Sequence, residues 1–151
     1  MRVRTGSWLA AAVLVSSSAC ASGGGGSAPT IDEAYGALSA ESAVGQFLDA
    51  AKRSDYRLMS RLFGTRDGPA ERQLGRVEVE QRMFVLASIL AHDTYSLRPM
   101  GVAEGEGKQR VLVEMVGTRS RTGTATVPFI TAANGGRWFV EQIMTESLTS
   151  G

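Results

Sequence analysis

Two carboxylates in strand-like segments are the side chains of this chain with the clearest potential for acid–base chemistry. Glu114 lies between Leu112 and Val116 on one side of an alternating segment, and Glu141 follows Val140 in the last such segment. If these sides line an apolar cavity, loss of hydration would let either carboxylate act as a general base. If they face solvent, each carboxylate would pair with an arginine or lysine on a neighbouring strand. The spacing leaves both interpretations open, and we favour the paired one.

The single histidine, His92, is the other side chain that could do chemistry. One histidine cannot form a two-histidine metal site, and a catalytic triad would depend on it alone. His92 follows a predicted helix, whose C-terminal end favours a histidine, so we interpret it as a capping residue. The segment 104–108 lacks the earlier glycine and the following Ser or Thr of a phosphate loop. The sequence therefore predicts no catalytic residue, no cofactor and no metal.

Cys20 is the only cysteine, and it ends an N-terminal targeting segment. Arg2 and Arg4 precede an apolar core at residues 8–15. That core is shorter than the roughly 20 apolar residues that a membrane-spanning helix needs. Small residues follow at 16–19, as a signal peptidase requires.

The residues Ser17-Ser18-Ala19-Cys20 resemble the lipobox of bacterial lipoproteins, although that family usually has a large apolar residue where Ser17 stands. The resemblance implies that residues 1–19 are a lipoprotein signal peptide and that the Cys20 thiol carries a diacylglycerol. Further acylation, for example with palmitate, would anchor the protein stably to the cell envelope. Ala21, in place of aspartate, favours the outer membrane facing the periplasm where the host has one. One alternative stays open, because Ala19-Cys20-Ala21 is also a cleavage site that would release the protein without its cysteine.

The rest of the chain has the composition of one exported domain. Residues 20–29, with their glycine run, predict a flexible linker, and residues 30–151 predict a single domain. Removing residues 1–19 leaves 14 basic and 15 acidic side chains, a net charge of −1. This balance argues against nucleic acid as a partner. We interpret five arginines in the helical half as a solvated surface, with a patch that binds an anion or a partner as the alternative: Arg61, Arg66, Arg72, Arg76 and Arg82.

Hydrophobic periodicity predicts helices first and strands afterwards. Apolar residues at helical spacing predict helices at 39–52, 56–63 and 77–90, with a loop at 65–75. Alternation then predicts four strands, the last three at 110–118, 124–131 and 137–144, and Pro128 marks one of them as an edge or a bulge. We expect an α+β fold in which N-terminal helices pack on a curved, cone-like antiparallel sheet of about four strands. Phe47 and Trp138 are the expected anchors between the first helix and the last strand.

Two stretches resemble nuclear-transport-factor-two-like domains, also described as SnoaL-like or cystatin-like cones. Residues 42–56 and Leu62-Phe63 are similar to the family's first helices, and residues 136–140 are similar to its last strand. The resemblance implies a cone with an internal pocket. The family includes ketosteroid isomerase and scytalone dehydratase as well as non-catalytic binding domains. Six side chains could line such a pocket, although their spacing fits a core first: Tyr56, Met83, Tyr95, Glu114, Trp138 and Glu141.

These observations predict a membrane-anchored lipoprotein whose domain is a non-catalytic module that binds a small apolar ligand or a protein partner. Two alternatives stay open. The domain could be a lyase or isomerase that uses a cavity carboxylate, or an accessory subunit that forms a homodimer through its sheet. Apolar residues on both sides of the segment 110–118 indicate that both faces of the sheet are covered.

Overall fold

The computed structural model describes residues 34–102 and 105–149. Helices precede an antiparallel sheet, so the expected α+β class is confirmed. The proposed signal peptide, the linker and Cys20 lie outside the described residues. Within the described ranges the elements are α1 (Ala40–Lys52), α2 (Tyr56–Leu62), β1 (Gly64–Thr65), β2 (Gly68–Pro69), α3 (Glu71–Leu74), α4 (Arg76–Ile89), β3 (Thr94–Val102), β4 (Lys108–Val116), β5 (Thr124–Asn134), β6 (Arg137–Ile143) and α5 (Glu146–Thr149).

Helix α1 begins at a capping serine and buries one side. The Ser39 hydroxyl oxygen accepts a hydrogen bond from the Ser42 N–H at 3.1 Å, which satisfies a donor that the helix itself leaves free. Val44, Phe47 and Leu48, spaced by three and one, are fully buried. The apolar stripe that the sequence predicts is therefore the side of α1 that faces the core.

Helices α2 and α4 pack on each other and on α1. Asp55 caps α2, and its Oδ1 accepts a hydrogen bond from the Leu58 N–H at 3.0 Å. Helix α4 buries Val79 and Met83 in the same core. Both helices lie where the periodicity predicts them, with ends that differ by about one residue.

The predicted loop at 65–75 is wrong in part, because it contains β2, α3 and the end of β1. The Ala70 N–H donates to the Phe63 carbonyl at 3.0 Å, and β1 pairs antiparallel with β2. Gly64 permits this tight reversal, since a Cβ there would lie 2.5 Å from the Gly68 carbonyl oxygen. The short strands depend on the small size of a glycine and not on any periodic pattern.

The four long strands form one open, curved antiparallel sheet in the order β3-β4-β5-β6. Each strand pairs with the one that follows it in sequence. Val113 of β4 lies between Leu97 of β3 and Val127 of β5, and all three belong to the core or pack against it. The alternate residues of β4, including Leu112 and Glu114, face the other side of the sheet.

Pro128 does not mark an edge strand, because β5 lies between β4 and β6. The Pro128 carbonyl accepts a hydrogen bond from the Met144 N–H at 3.0 Å, one residue beyond the end of β6 at Ile143. The N–H that proline lacks would face Met144 as well, so this pair keeps only one of its two possible bonds, and the ladder between β5 and β6 ends here. The bulge expected with Pro128 lies two residues later, between Ile130 and Thr131.

Both edges of the sheet carry features that hinder pairing with a further strand. Ala37 forms an antiparallel bridge to Trp138, with N–H···O distances of 2.9 and 2.8 Å, and Phe63 forms a parallel bridge to Val140. On the opposite edge, β3 carries Pro99 and a shift of register beyond it. A covered edge, a proline and a bulge all discourage pairing with a further strand.

Large side chains fill the space between the helices and the sheet. Phe47 of α1 and Phe129 of β5 are fully buried there, together with Met59, Met83 and Met115. The concave side of the sheet is therefore occupied by the protein's own side chains.

Candidate functional site

The outer face of the sheet, the side opposite the core, carries an apolar strip. Leu112 and Pro128 are register partners on this face and are both half-buried. Ile130 lies next along β5 on the same face but is only 2 % exposed, and Val116, two rows away, is 50 % exposed. We call Leu112, Pro128 and Ile130 the outer strip. Strand alternation places it on this face, and α1 packs on the opposite one.

Glu114 lies beside the outer strip in an exposed ion pair. Its Oε1 is 3.0 Å from Nη2 of Arg98 on β3, and its Oε2 accepts a weaker hydrogen bond from the Ser96 hydroxyl at 3.4 Å. The side chains of Arg98 and Glu114 are 66 % and 43 % exposed. Solvent hydrates this carboxylate, and its partner is a cross-strand arginine, which is the arrangement favoured from the sequence.

Glu141 lies at a β-bulge and reaches the same face. Ile130 pairs with Gln142 while Thr131 pairs with Val140, so Glu141 is the extra residue between them. Its Oε2 lies 2.9 Å from Nζ of Lys108, and both side chains are mostly buried. Lys108 stands at an outer-face position of β4, opposite Ala132. The bulge therefore directs this carboxylate to a lysine two strands away.

The six side chains proposed for an internal pocket do not meet in one cavity. Met83 is fully buried among the helices, and Trp138 is half-buried against the core. Tyr56 stacks edge-on against Phe84, with ring centroids 5.5 Å apart. Glu114 and Glu141 lie on the outer face.

Three clefts lined by described residues each contain at most one of those six. A shallow cleft of about 370 Å³ lies over the outer face and includes Glu114, Val116 and Thr126. A second, of about 240 Å³, includes Tyr56 and lies near His92. A third, of about 300 Å³, lies between the start of α1 and α2 and contains none of them.

Tyr95 is held by an aspartate that the spacing did not reveal. The Tyr95 hydroxyl donates to Oδ1 of Asp49 at 2.9 Å and lies 3.2 Å from the Gly45 carbonyl oxygen. Burial first, and then the hydrogen bond to Asp49 and its charge, raise the pKa of Tyr95 to about 12. A phenol held in this protonated state positions α1 on β3 and is a poor base.

His92 occupies the junction next to Tyr95. Its Nδ1 lies 2.7 Å from the carbonyl oxygen of Leu90, which can only accept, so Nδ1 carries the proton and donates. Leu90 is the C-cap residue of α4, and the bond therefore agrees with the capping interpretation. The imidazole also meets the Tyr95 ring edge to face, with centroids 5.4 Å apart. His92 thus supports both the helix end and the tyrosine.

We expect Tyr95 to be the phenol that ionises at the highest pH. Its pKa is raised to about 12, so its contribution to stability is complete below about pH 10, the ordinary value. That contribution is lost as the pH rises through the folded-state pKa. Spectrophotometric titration of phenolate should show a late step that Tyr95→Phe removes and Asp49→Asn moves to lower pH. A late step that survives in Tyr95→Phe would assign it to another tyrosine.

Comparison with known proteins identified no relative of this chain. No protein-family model, curated protein or solved structure matched the chain. The resemblance to nuclear-transport-factor-two-like domains therefore depends on the residues quoted above and stays a prediction. Among residues 34–102 and 105–149, no helix is long and apolar enough to cross a bilayer.

Proposed function

We propose that this protein is an envelope lipoprotein, anchored through lipid on Cys20, whose domain binds a protein partner through the outer face of its sheet without catalysing a reaction. The observation that supports this best is the outer strip, which lies with half-exposed Val116 on the side opposite the helices. Leu112, Pro128 and Val116 are partly exposed there, while Ile130 is 2 % exposed, and exposed apolar side chains bordered by charged pairs are typical of a protein-binding surface. A partner would then provide the second covered face that the apolar pattern of β4 indicates. Where the host has an outer membrane, we place the domain on its periplasmic side.

The lyase or isomerase alternative has less support, because it needs a carboxylate inside an apolar cavity. Glu114 and Glu141 lie on the outer face and are paired with Arg98 and Lys108. The concave side, where a substrate would lie in a cone-shaped enzyme, is filled by Phe47 and other core side chains.

A second copy of the chain is a particular partner that the outer face could accept. The face presents an acid and a base in the Arg98–Glu114 pair and again in the Lys108–Glu141 pair. A copy related by a two-fold axis could exchange the partners of such pairs across the interface. This is the accessory-subunit alternative, and the following experiment separates it from a different protein partner.

Photocross-linking in the intact envelope tests the outer face. A photoreactive phenylalanine analogue at Leu112 is expected to give a cross-linked product of defined mass. The same analogue at Glu106, in the exposed turn before β4, is the matched control and should give none. Adding Val116→Arg should reduce the product, while Gln81→Arg on α4 should leave it unchanged. A product of twice the chain's mass identifies a second copy, and the lack of any product at 112 would contradict binding at this face.

A further inference from the structure

Helix α4 is apolar on its outer side as well as its inner side. Val79 and Met83 are fully buried, yet Val77, Phe84 and Val85 on the opposite side are 70 %, 57 % and 55 % exposed. These three recur at i, i+7 and i+8, which places them on one side of the helix. A surface helix ordinarily presents polar residues to water. The outer side of α4 therefore presents three exposed apolar side chains to its surroundings, with exposed Gln81 between Val77 and Val85.

The apolar side of α4 continues onto α3 at one end. Leu74, the last residue of α3, is 37 % exposed and stands three residues before Val77. The Phe84 ring meets Tyr56 edge-on, so an aromatic pair stands towards the other end. We call Leu74, Val77, Phe84 and Val85 the α4 surface.

The first described residues contact helix α3, which precedes α4. Tyr35, the second described residue, donates its hydroxyl hydrogen to Oε2 of Glu71 at 2.8 Å. Glu71 is the first residue of α3, and its Oε1 also accepts a hydrogen bond from the Ser60 hydroxyl at 2.6 Å. The side chain of Tyr35, near the start of the described domain, therefore contacts the first residue of the helix that ends at Leu74.

The length of the proposed tether limits how far the domain can lie from its lipid. Residues 20–33, fourteen in all, separate the proposed lipid from the first described residue. A flexible glycine-rich chain of that length has a root-mean-square span of about 20 Å, and about 45–50 Å when fully extended. Residue 34, where the described domain begins, therefore lies within about 50 Å of any bilayer that contains the acyl chains.

Helices α2, α3 and α4 carry several arginines. Arg61 and Arg72 act electrostatically on the Tyr35 hydroxyl, whose pKa is raised chiefly by its hydrogen bond to Glu71. Arg76 pairs with Glu80 at 3.2 Å and Arg82 with Glu78 at 2.7 Å, and the two arginine side chains are 59 % and 53 % exposed. Exposed ion pairs of this kind contribute little to stability, so these arginines can exchange their partners for lipid phosphates at small cost.

We propose that the α4 surface rests on the phospholipid bilayer that holds the acyl chains of Cys20, an orientation that depends on the lipid anchor of the proposed function. Phe84, Val77, Val85 and Leu74 enter the headgroup boundary, and the neighbouring arginines bind phosphates. Helix α4 packs on α1 and α2, and α1 packs on the sheet. The outer face of the sheet then lies on a different side of the domain and stays accessible to a partner.

Site-directed fluorescence on the full lipidated chain tests this orientation. Acylation consumes the Cys20 thiol, so a cysteine introduced by Val77→Cys or Phe84→Cys is the only free thiol for an environment-sensitive label. The protein is placed in vesicles of phosphatidylethanolamine and phosphatidylglycerol that contain a lipid-bound quencher. Labels at 77 and 84 should shift to the blue and lose most of their emission. Matched labels at Glu106→Cys and Leu112→Cys should keep the emission they show in water.

The possible results separate the orientation from the anchor. If the mass of the purified protein includes no acyl chains, the lipid anchor is contradicted, and with it the orientation. A lipidated protein whose label at 84 stays as exposed as the label at 106 contradicts the orientation alone. Shielding at 84 that depends on protein concentration and needs no vesicles would show instead that a second copy covers α4.

Discussion

Replacing Phe47 by alanine is expected to lower the free energy of unfolding by about 3–5 kcal/mol. The Phe47 side chain is fully buried between α1 and the sheet, and its ring lies 6.5 Å from that of Phe63. Its removal leaves a cavity that fixed strands on one side and helices on the other cannot fill. Denaturant titration followed by circular dichroism measures the change.

Phe84→Ala is the matched control, because it removes the same atoms from a ring that is 57 % exposed. Its expected cost is below about 1 kcal/mol. Trp138, the second anchor expected from the sequence, is only half-buried, so Trp138→Ala should fall between the two. Equal costs for Phe47→Ala and Phe84→Ala would contradict the packing of α1 on the sheet.

Cys20→Ser is expected to abolish acylation completely. The thiol is the group that a lipoprotein transferase modifies, and a serine hydroxyl is a far weaker nucleophile at neutral pH. Growth with a palmitate analogue followed by detection of the label should mark the natural chain and leave the variant at background. The variant should also leave the membrane fraction, because one covalent anchor is replaced by weak surface contacts.

Ser17→Leu provides the matched control for this prediction, since it restores the large apolar residue usual in a lipobox and should keep the label. One result would contradict the lipid anchor. A natural chain that carries no label and begins at Ser22 would show cleavage after Ala21 and would contradict the anchor.

Helical and strand periodicity were sufficient to predict most of this fold. The spacing of Val44, Phe47 and Leu48 is a local property of one segment, so it predicts both the helix and its buried side. The alternation of Val111, Val113 and Met115 does the same for β4. The small β1–β2 ladder was not predicted, because it depends on the close approach of Gly64 and Gly68. Such an approach leaves no periodic pattern in the sequence.

The candidate site was less predictable, because both sides of β4 are apolar. The packing of α1 decides whether the helices cover the face of β4 that carries Leu112 and Glu114 or the opposite face. No local sequence pattern contains that information. The bond between Asp49 and Tyr95 joins positions 46 residues apart. Only the assembled packing of α1 on β3 brings those two side chains together.

The bridge between Ala37 and Trp138 joins the first described segment to the last strand of the sheet. In an exported chain that emerges N-terminus first, Ala37 leaves the translocation channel long before Trp138 does. The N-terminal helices can gain their final strand contacts only after β6 has followed them. If the chain is exported as we propose, Phe47 and Leu48 stay available to chaperones until then. For a chain exported in this way, the order of delivery, and not only the pairing of the strands, would determine when the domain becomes folded.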